Sequence, residues 1–245
     1  IVEINSMIEQ FGIETVHSYM NHVQDNAEEC IRNAIVNLRE GKYEYELDNG
    51  EFIRVKITID KIKREATIDF TGTAPKNPFN YNAPMAVCHA VILYVFRTLV
   101  GSNIPLNEGC FKPLNIVVPN NSMINAKYPS AVIAGNTEVS QLTCNALFGA
   151  LGIIAGSQAT MNNFIWGNDK IQNYETICGG TGAGPNFHGT SAVQTHMTNT
   201  RSTDPEILEA RFPVRLEEYS IRKNSGGKGM FNGGDGVTRK LRFLE

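Results

Sequence analysis

The stretch from Gly179 to Glu206, GGTGAGPNFHGTSAVQTHMTNTRSTDPE, holds no helical or strand period for more than a few residues. Its glycines and two prolines sit among hydroxyl, amide, imidazole and guanidinium side chains, which make poor core material. Glycine suits positions that need positive φ or close backbone approach, and small polar residues around it can turn N–H groups toward an anion or carbonyl. The segment therefore reads as a binding loop, with a long surface loop as the plain alternative. The core has to come from the residues on either side.

Upstream, apolar residues from Val16 through Ala27 and Ile31 to Leu38 keep helical spacing over 14–38, after a shorter helix broken near Gly12; Gly41 is the expected terminator. Tyr43 to Leu47 and Ile53 to Ile59 alternate around Asn49-Gly50, a strong hairpin signal, and 66–70 continues the meander. Further helices are expected over 84–99 and 137–151, with a short strand over 114–118. Residues 174–178 lead into the glycine-rich stretch, and strands near 213–222 and 237–243 close the chain around a second glycine cluster at 226–236. This order predicts an α+β fold: mainly antiparallel sheet, packed amphipathic helices and long glycine-rich loops.

The chain has 245 residues, enough for one large domain or two small ones. A net charge of -3 with scattered basic residues points away from nucleic-acid and membrane partners. The most apolar run, 86–100, is shorter than a membrane span and contains His89 and Arg97. Five separated cysteines without a C-x-x-C pair fit a reducing, cytoplasmic setting better than a disulfide framework or zinc site. Ile1 and Leu244-Glu245 give both ends the look of cuts in a longer chain.

Ordinary catalytic signatures are missing. No G-x-x-x-x-G-K-[ST] or G-x-G-x-x-G run encodes a nucleotide site, no G-x-S-x-G elbow surrounds Ser191, and the five histidines are not at metal-ligand spacing. His196 can serve as acid, base or carbonyl-polarising donor, or hold two loop segments together. Arg201 can grip a carboxylate or pair with Asp204 or Glu206 beside it. Cys178 is either a thiol nucleophile or a small buried hydrophobe. His22, Gln24, Asp25 and Asn26 read as an exposed helix face.

Several ordered blocks resemble the hydantoinase B/oxoprolinase family. They are 69–73 (DFTGT), 82–84 (NAP), 104–110 (IPLNEGC), Ser157-Gln158 with Met161-Asn162-Asn163, 174–176 (YET), 196–201 (HMTNTR) with 203–209 (TDPEILE), and 233–239 (GGDGVTR). The likeness runs along nearly the whole chain and is strongest to the C-terminal half of the ATP-dependent 5-oxoprolinases. It implies that 1–245 is an internal part of such a domain, truncated at both ends and inactive alone. Its parent would open a small cyclic amide, 5-oxoproline, to glutamate. Hydantoin hydrolysis, ketone carboxylation or a non-catalytic subunit-interaction role are the alternatives.

The family activates an amide or ketone oxygen with phosphate from ATP, bound by a hydantoinase A-like half or subunit in a homo- or hetero-oligomer. A divalent metal would take ligands outside this chain, because the family's Asp/His/Gly-rich block lies upstream of Ile1. Laid on the matched motifs, Gly179, Gly180, Thr181, Gly182 and Gly184 would offer backbone N–H groups. Asn162, Asn163, Thr198 and Asn199 would orient the substrate, His196 would polarise it or shuttle a proton, and Arg201 would receive a carboxylate. Ala159 stands where the family usually has glycine.

Overall fold

In the computed structural model, which describes residues 1–245, two helices open the chain: α1 (Val2–Phe11) and α2 (Ile13–Ile35). Gly12 breaks them at φ +81°, a value that side chains disfavour. Only the last turns of α2 enter the core, through Ala27, Ile31 and Ile35. Tyr19, Met20 and Val23 continue the same apolar stripe and are exposed, so the pattern extends further than its covering. The helix stops at Ile35, short of the expected Leu38, and Gly41 does not end it. Gly41 instead opens β1 (Gly41–Glu46), where a Cβ would stand 1.9 Å from the Ala150 carbonyl oxygen.

The alternating stretches fold as expected into β1, β2 (Phe52–Asp60) and β3 (Glu65–Asp69), antiparallel with Tyr43 opposite Val55 and Ile57 opposite Ile68. Helix α3 (Met85–Thr98) then carries the chain across to β4 (Leu114–Val117), which joins β3 in parallel. A parallel neighbour needs such a crossover, whereas the antiparallel ones need only turns. The sheet order is β1-β2-β3-β4.

Helix α4 (Ser140–Leu151) packs on β1, β2 and α3, and every residue in it except Gly149 is buried. It is preceded by a π-helical turn, Gly135–Val139, where a simple α-helical start was expected. A helix enclosed all round has no solvent face on which to place polar residues. Its polar side chains must find partners inside the protein.

The second half is built from antiparallel pairs. Strands β5 (Asn162–Gly167) and β6 (Gln172–Ile177) form a hairpin, and the two-residue β7 (Gly179–Gly180) pairs with β8 (Ser191–Val193). Helix α5 (Pro205–Arg211) follows, with the Asp204 carboxylate accepting the Glu206 N–H as N-cap and proline in the first turn. Strands β9 (Val214–Ile221) and β10 (Val237–Phe243) close the chain. The α+β class is as read from the sequence; β5 to β8 and α5 are additions, β5 with asparagines in its alternation, β7 and β8 two and three residues long, and α5 only seven. No helix is long and apolar enough to cross a membrane.

Candidate active site

Helix α4 organises the polar half of the molecule. Buried Gln141 donates from Nε2 to Thr198 Oγ1 (2.6 Å) and to the Thr195 carbonyl (3.3 Å), while its Oε1 accepts the Met197 N–H (3.4 Å). One turn further on, Asn145 accepts the Ser157 N–H (3.1 Å) and donates to the Ser157 carbonyl (3.3 Å). Two of the ordered sequence blocks therefore hang from one rigid helix. A third contact comes from Phe148, whose ring lies 5.1 Å from that of His196.

His196 adopts φ +51° in the turn closed by Thr198 N–H donating to the Thr195 carbonyl. Its Nδ1 is 3.2 Å from the Tyr94 hydroxyl and its buried Nε2 has no partner. Burial pushes the imidazole down to about 4, so it is neutral at physiological pH. From there the loop is stitched to β6: Gln194 Nε2 donates to the Thr176 carbonyl (3.1 Å), and the Thr176 and Thr200 hydroxyls are bonded.

Next to it lies a fully buried ion pair. Glu175 accepts Arg239 Nε (2.9 Å) and Nη2 (3.0 Å) as well as the Thr203 N–H (2.8 Å), and Arg239 Nη2 also donates to the Thr203 carbonyl (2.8 Å). The guanidinium lies 4.8 Å above the Tyr219 ring. The bidentate geometry and extra hydrogen bonds are what make a buried pair tolerable. Together they clamp the loop after Arg201 between β6 and β10.

The glycine-rich segment then meets the second glycine cluster, backbone against backbone. A Cβ on Gly180 would stand 2.2 Å from the Gly234 carbonyl oxygen, and one on Gly234 would stand 2.1 Å from that of Thr190. The Asp235 carboxylate accepts N–H groups from Gly226 (2.8 Å) and Asn224 (3.2 Å), its own N–H donates to Ser191 Oγ (2.8 Å), and Asn232 N–H donates to His188 Nδ1 (2.8 Å). Between the two glycine runs and the 156–162 segment opens a cleft of about 460 Å³, in the usual size range for small-ligand sites.

Of the residues singled out from the sequence, Asn162, Gly179, Gly180 and Thr181 line this cleft. Gly182 and Gly184 do not: Gly182 lets the Ala155 carbonyl come close, and Gly184 lies against the Phe187 ring. The N–H groups of Thr181 and Gly184 are already taken by the Thr190 and Phe187 carbonyls. Asn163 accepts from the Tyr174 hydroxyl (2.6 Å), Thr198 holds Gln141, and His196 sits behind the loops. Asn199 and Arg201 are exposed outside the cleft, and Arg201 forms no ion pair with Asp204 or Glu206. Cys178 does line the cleft, with its sulfur 3.9 Å from the Tyr219 hydroxyl.

Pattern reading missed Gln158 and Arg222. Asn162 Nδ2 donates to the Ile177 carbonyl (3.1 Å) and to Gln158 Oε1 (2.9 Å). A carbonyl can only accept, so both amide orientations are set. Asn162 Oδ1 is left as an acceptor and Gln158 Nε2 as a donor on the cleft wall. Arg222 is the one charged side chain lining the cleft. The signal for Gln158 was its place in a motif; nothing in the sequence marked Arg222. Ala159, next to Gln158, has φ +62°, consistent with the glycine expected there.

The architecture is thus that of a polar, glycine-lined cleft set beside a buried helix that holds its loops. The sequence profile of the hydantoinase B/oxoprolinase family matches residues 1–245, and the chain belongs to that family. It is 45% identical to 5-oxoprolinase 1 of Arabidopsis thaliana over 98% of this chain and 20% of that protein. It is 42% identical to the 5-oxoprolinase of Dictyostelium discoideum, over 99% of this chain and again 20% of that protein. The chain spans about one fifth of the length of these relatives. The crystal structure of an ATP-dependent caprolactamase from Pseudomonas jessenii has the same fold, with a TM-score of 0.81 at 22% identity, covering 99% of this chain and 46% of that one.

Proposed function

We propose that the full-length protein containing this segment opens 5-oxoproline to glutamate in an ATP-dependent reaction, and that the glycine-lined cleft holds the cyclic amide. The observation that carries this reading is the Gln158–Asn162 pair. A lactam is a cis amide, so its N–H and C=O point to the same side of the ring. Asn162 Oδ1 accepts from that N–H and Gln158 Nε2 donates to that carbonyl oxygen. The hydrogen bond between the two side chains pre-orients both, which lowers the entropy lost on binding. The choice of 5-oxoproline among cyclic amides follows the identity to the 5-oxoprolinases.

Gly179, Gly180 and Thr181 line the same cleft, with Gly179 directly beside the Gln158 side chain. Gly182, Gly184, Asn163, Thr198, Asn199 and His196 act through loop position rather than by touching substrate. ATP, which a hydantoinase A-like half or subunit would hold, would supply a phosphoryl group that activates the amide carbonyl toward water, with the ring C–N bond breaking to the free amine and the phosphoryl group leaving as inorganic phosphate. Any divalent metal would take its ligands outside this chain. What this chain contributes is orientation of the amide plane by the Gln158–Asn162 pair.

The test is phosphate release from ATP by the full-length protein with its ATP-binding part, with and without 5-oxoproline. Release that rises with 5-oxoproline and matches glutamate formed supports the reading. Stimulation by a hydantoin, or by a ketone with bicarbonate, in place of 5-oxoproline would sink it. A second reading, a subunit-interaction module, is favoured by the apolar groove between α1 and α2, about 720 Å³ and lined by Met7, Phe11, Val16, Tyr19, Met20 and Val23.

A further inference from the structure

We propose that Arg222 is the residue by which the cleft recognises a substrate carboxylate, making the site selective for acidic over neutral cyclic amides. This rests on the cleft being the cyclic-amide site, and it names the specificity element that the amide pair lacks. Gln158 and Asn162 read only the lactam N–H and C=O, which every lactam has. Discrimination among lactams needs another contact.

Arg222 immediately follows β9, where its own N–H donates to the Gly236 carbonyl (2.9 Å) and anchors the backbone at the cleft wall. Arg222 is solvent-exposed and its guanidinium, like that of Arg201, forms no ion pair and no hydrogen bond within the chain; what separates the two is that Arg222 lines the cleft. The only carboxylate nearby in the loop, Asp235, is engaged by two backbone N–H groups and does not line the cleft. The cleft therefore carries one uncompensated positive charge among glycines and uncharged side chains. A planar guanidinium takes a carboxylate through two parallel hydrogen bonds. In 5-oxoproline the carboxylate is on the ring carbon bonded to nitrogen, so one small molecule presents both features to one cleft.

The same guanidinium could instead meet a phosphoryl oxygen, and Arg201 was the carboxylate receiver expected from the sequence. The experiment separates these. In the full-length protein with its ATP-binding part, KM for 5-oxoproline and the Ki of 2-pyrrolidinone, the same ring without carboxylate, are measured for Arg222→Met, Arg222→Lys and Arg201→Met. For Arg222→Met the KM is expected to rise roughly 10- to 100-fold, the range for a lost charge-assisted contact, with the Ki unchanged. Arg222→Lys should recover part of the loss and Arg201→Met should resemble the unsubstituted enzyme. An unchanged KM in Arg222→Met, an equal loss with both compounds, or a loss that appears in Arg201→Met would overturn the assignment. Failure of the unsubstituted protein to turn over 5-oxoproline would refute the proposed function, and this assignment with it.

Discussion

At the residue scale, His196 is a chemically suggestive side chain set in a packed environment. The crowd of hydrogen-bonding neighbours in 195–201 makes an acid or base plausible, yet Gln141 and Thr176 use those neighbours to hold the loop. The imidazole packs between Tyr94 and Phe148 instead. Because its folded value is about 4 and the unfolded value about 6.5, the unfolded chain takes up the proton first as pH falls. The stabilisation is present above pH ~6.5 and is lost between there and about 4, amounting to on the order of 3 kcal/mol. Urea denaturation from pH 7 to 4.5 should show this loss, and His196→Gln should flatten that part of the profile. Parallel profiles for the two proteins would contradict the burial account. Gln158 and Arg222 make the converse point: neither stood out as a site residue, and both were found by what shares a cleft with Asn162.

At the level of elements, α4 and the glycine loops divide the work. The helix was legible, but Gln141 and Asn145 read as ordinary polar positions until their partners at 195–198 and 157 came into view. The glycines were legible as close-approach residues; which backbone each approaches was not. That difference is testable with two substitutions. In Gly234→Ala the new methyl meets the Thr190 carbonyl, fixed backbone that cannot yield locally, so stability should fall by about 1–3 kcal/mol. In Gly179→Ala it meets the tip of the Gln158 side chain, 2.5 Å away, which can rotate aside. The urea midpoint should then stay near that of the parent while 5-oxoproline-stimulated phosphate release drops. Equal destabilisation by both substitutions would mean that the two loops do not interleave as described.

At the scale of this whole segment, which spans about one fifth of its relatives' length, α1 and the first turns of α2 are not covered by the rest of the chain. Helix α1 has no buried residue, and Phe11 and Tyr19 are 56% and 68% exposed along a continuous apolar groove. Such a patch favours association. Sedimentation equilibrium of this chain should show concentration-dependent self-association that Phe11→Ser with Tyr19→Ser reduces; a monomer at every concentration would count against an interaction role for these turns. The sequence by itself determined the α+β class, the meander around Asn49-Gly50, the central helices and the family, because periodicity, turn residues and ordered motifs act locally along the chain. Tertiary structure alone decided that the α2 stripe is half uncovered, that the two glycine clusters form one cleft, that Glu175 and Arg239 meet in the interior, and that Arg222 but not Arg201 lines that cleft. Those outcomes depend on contacts between residues tens of positions apart, and local pattern carries no record of which distant segment will supply the partner.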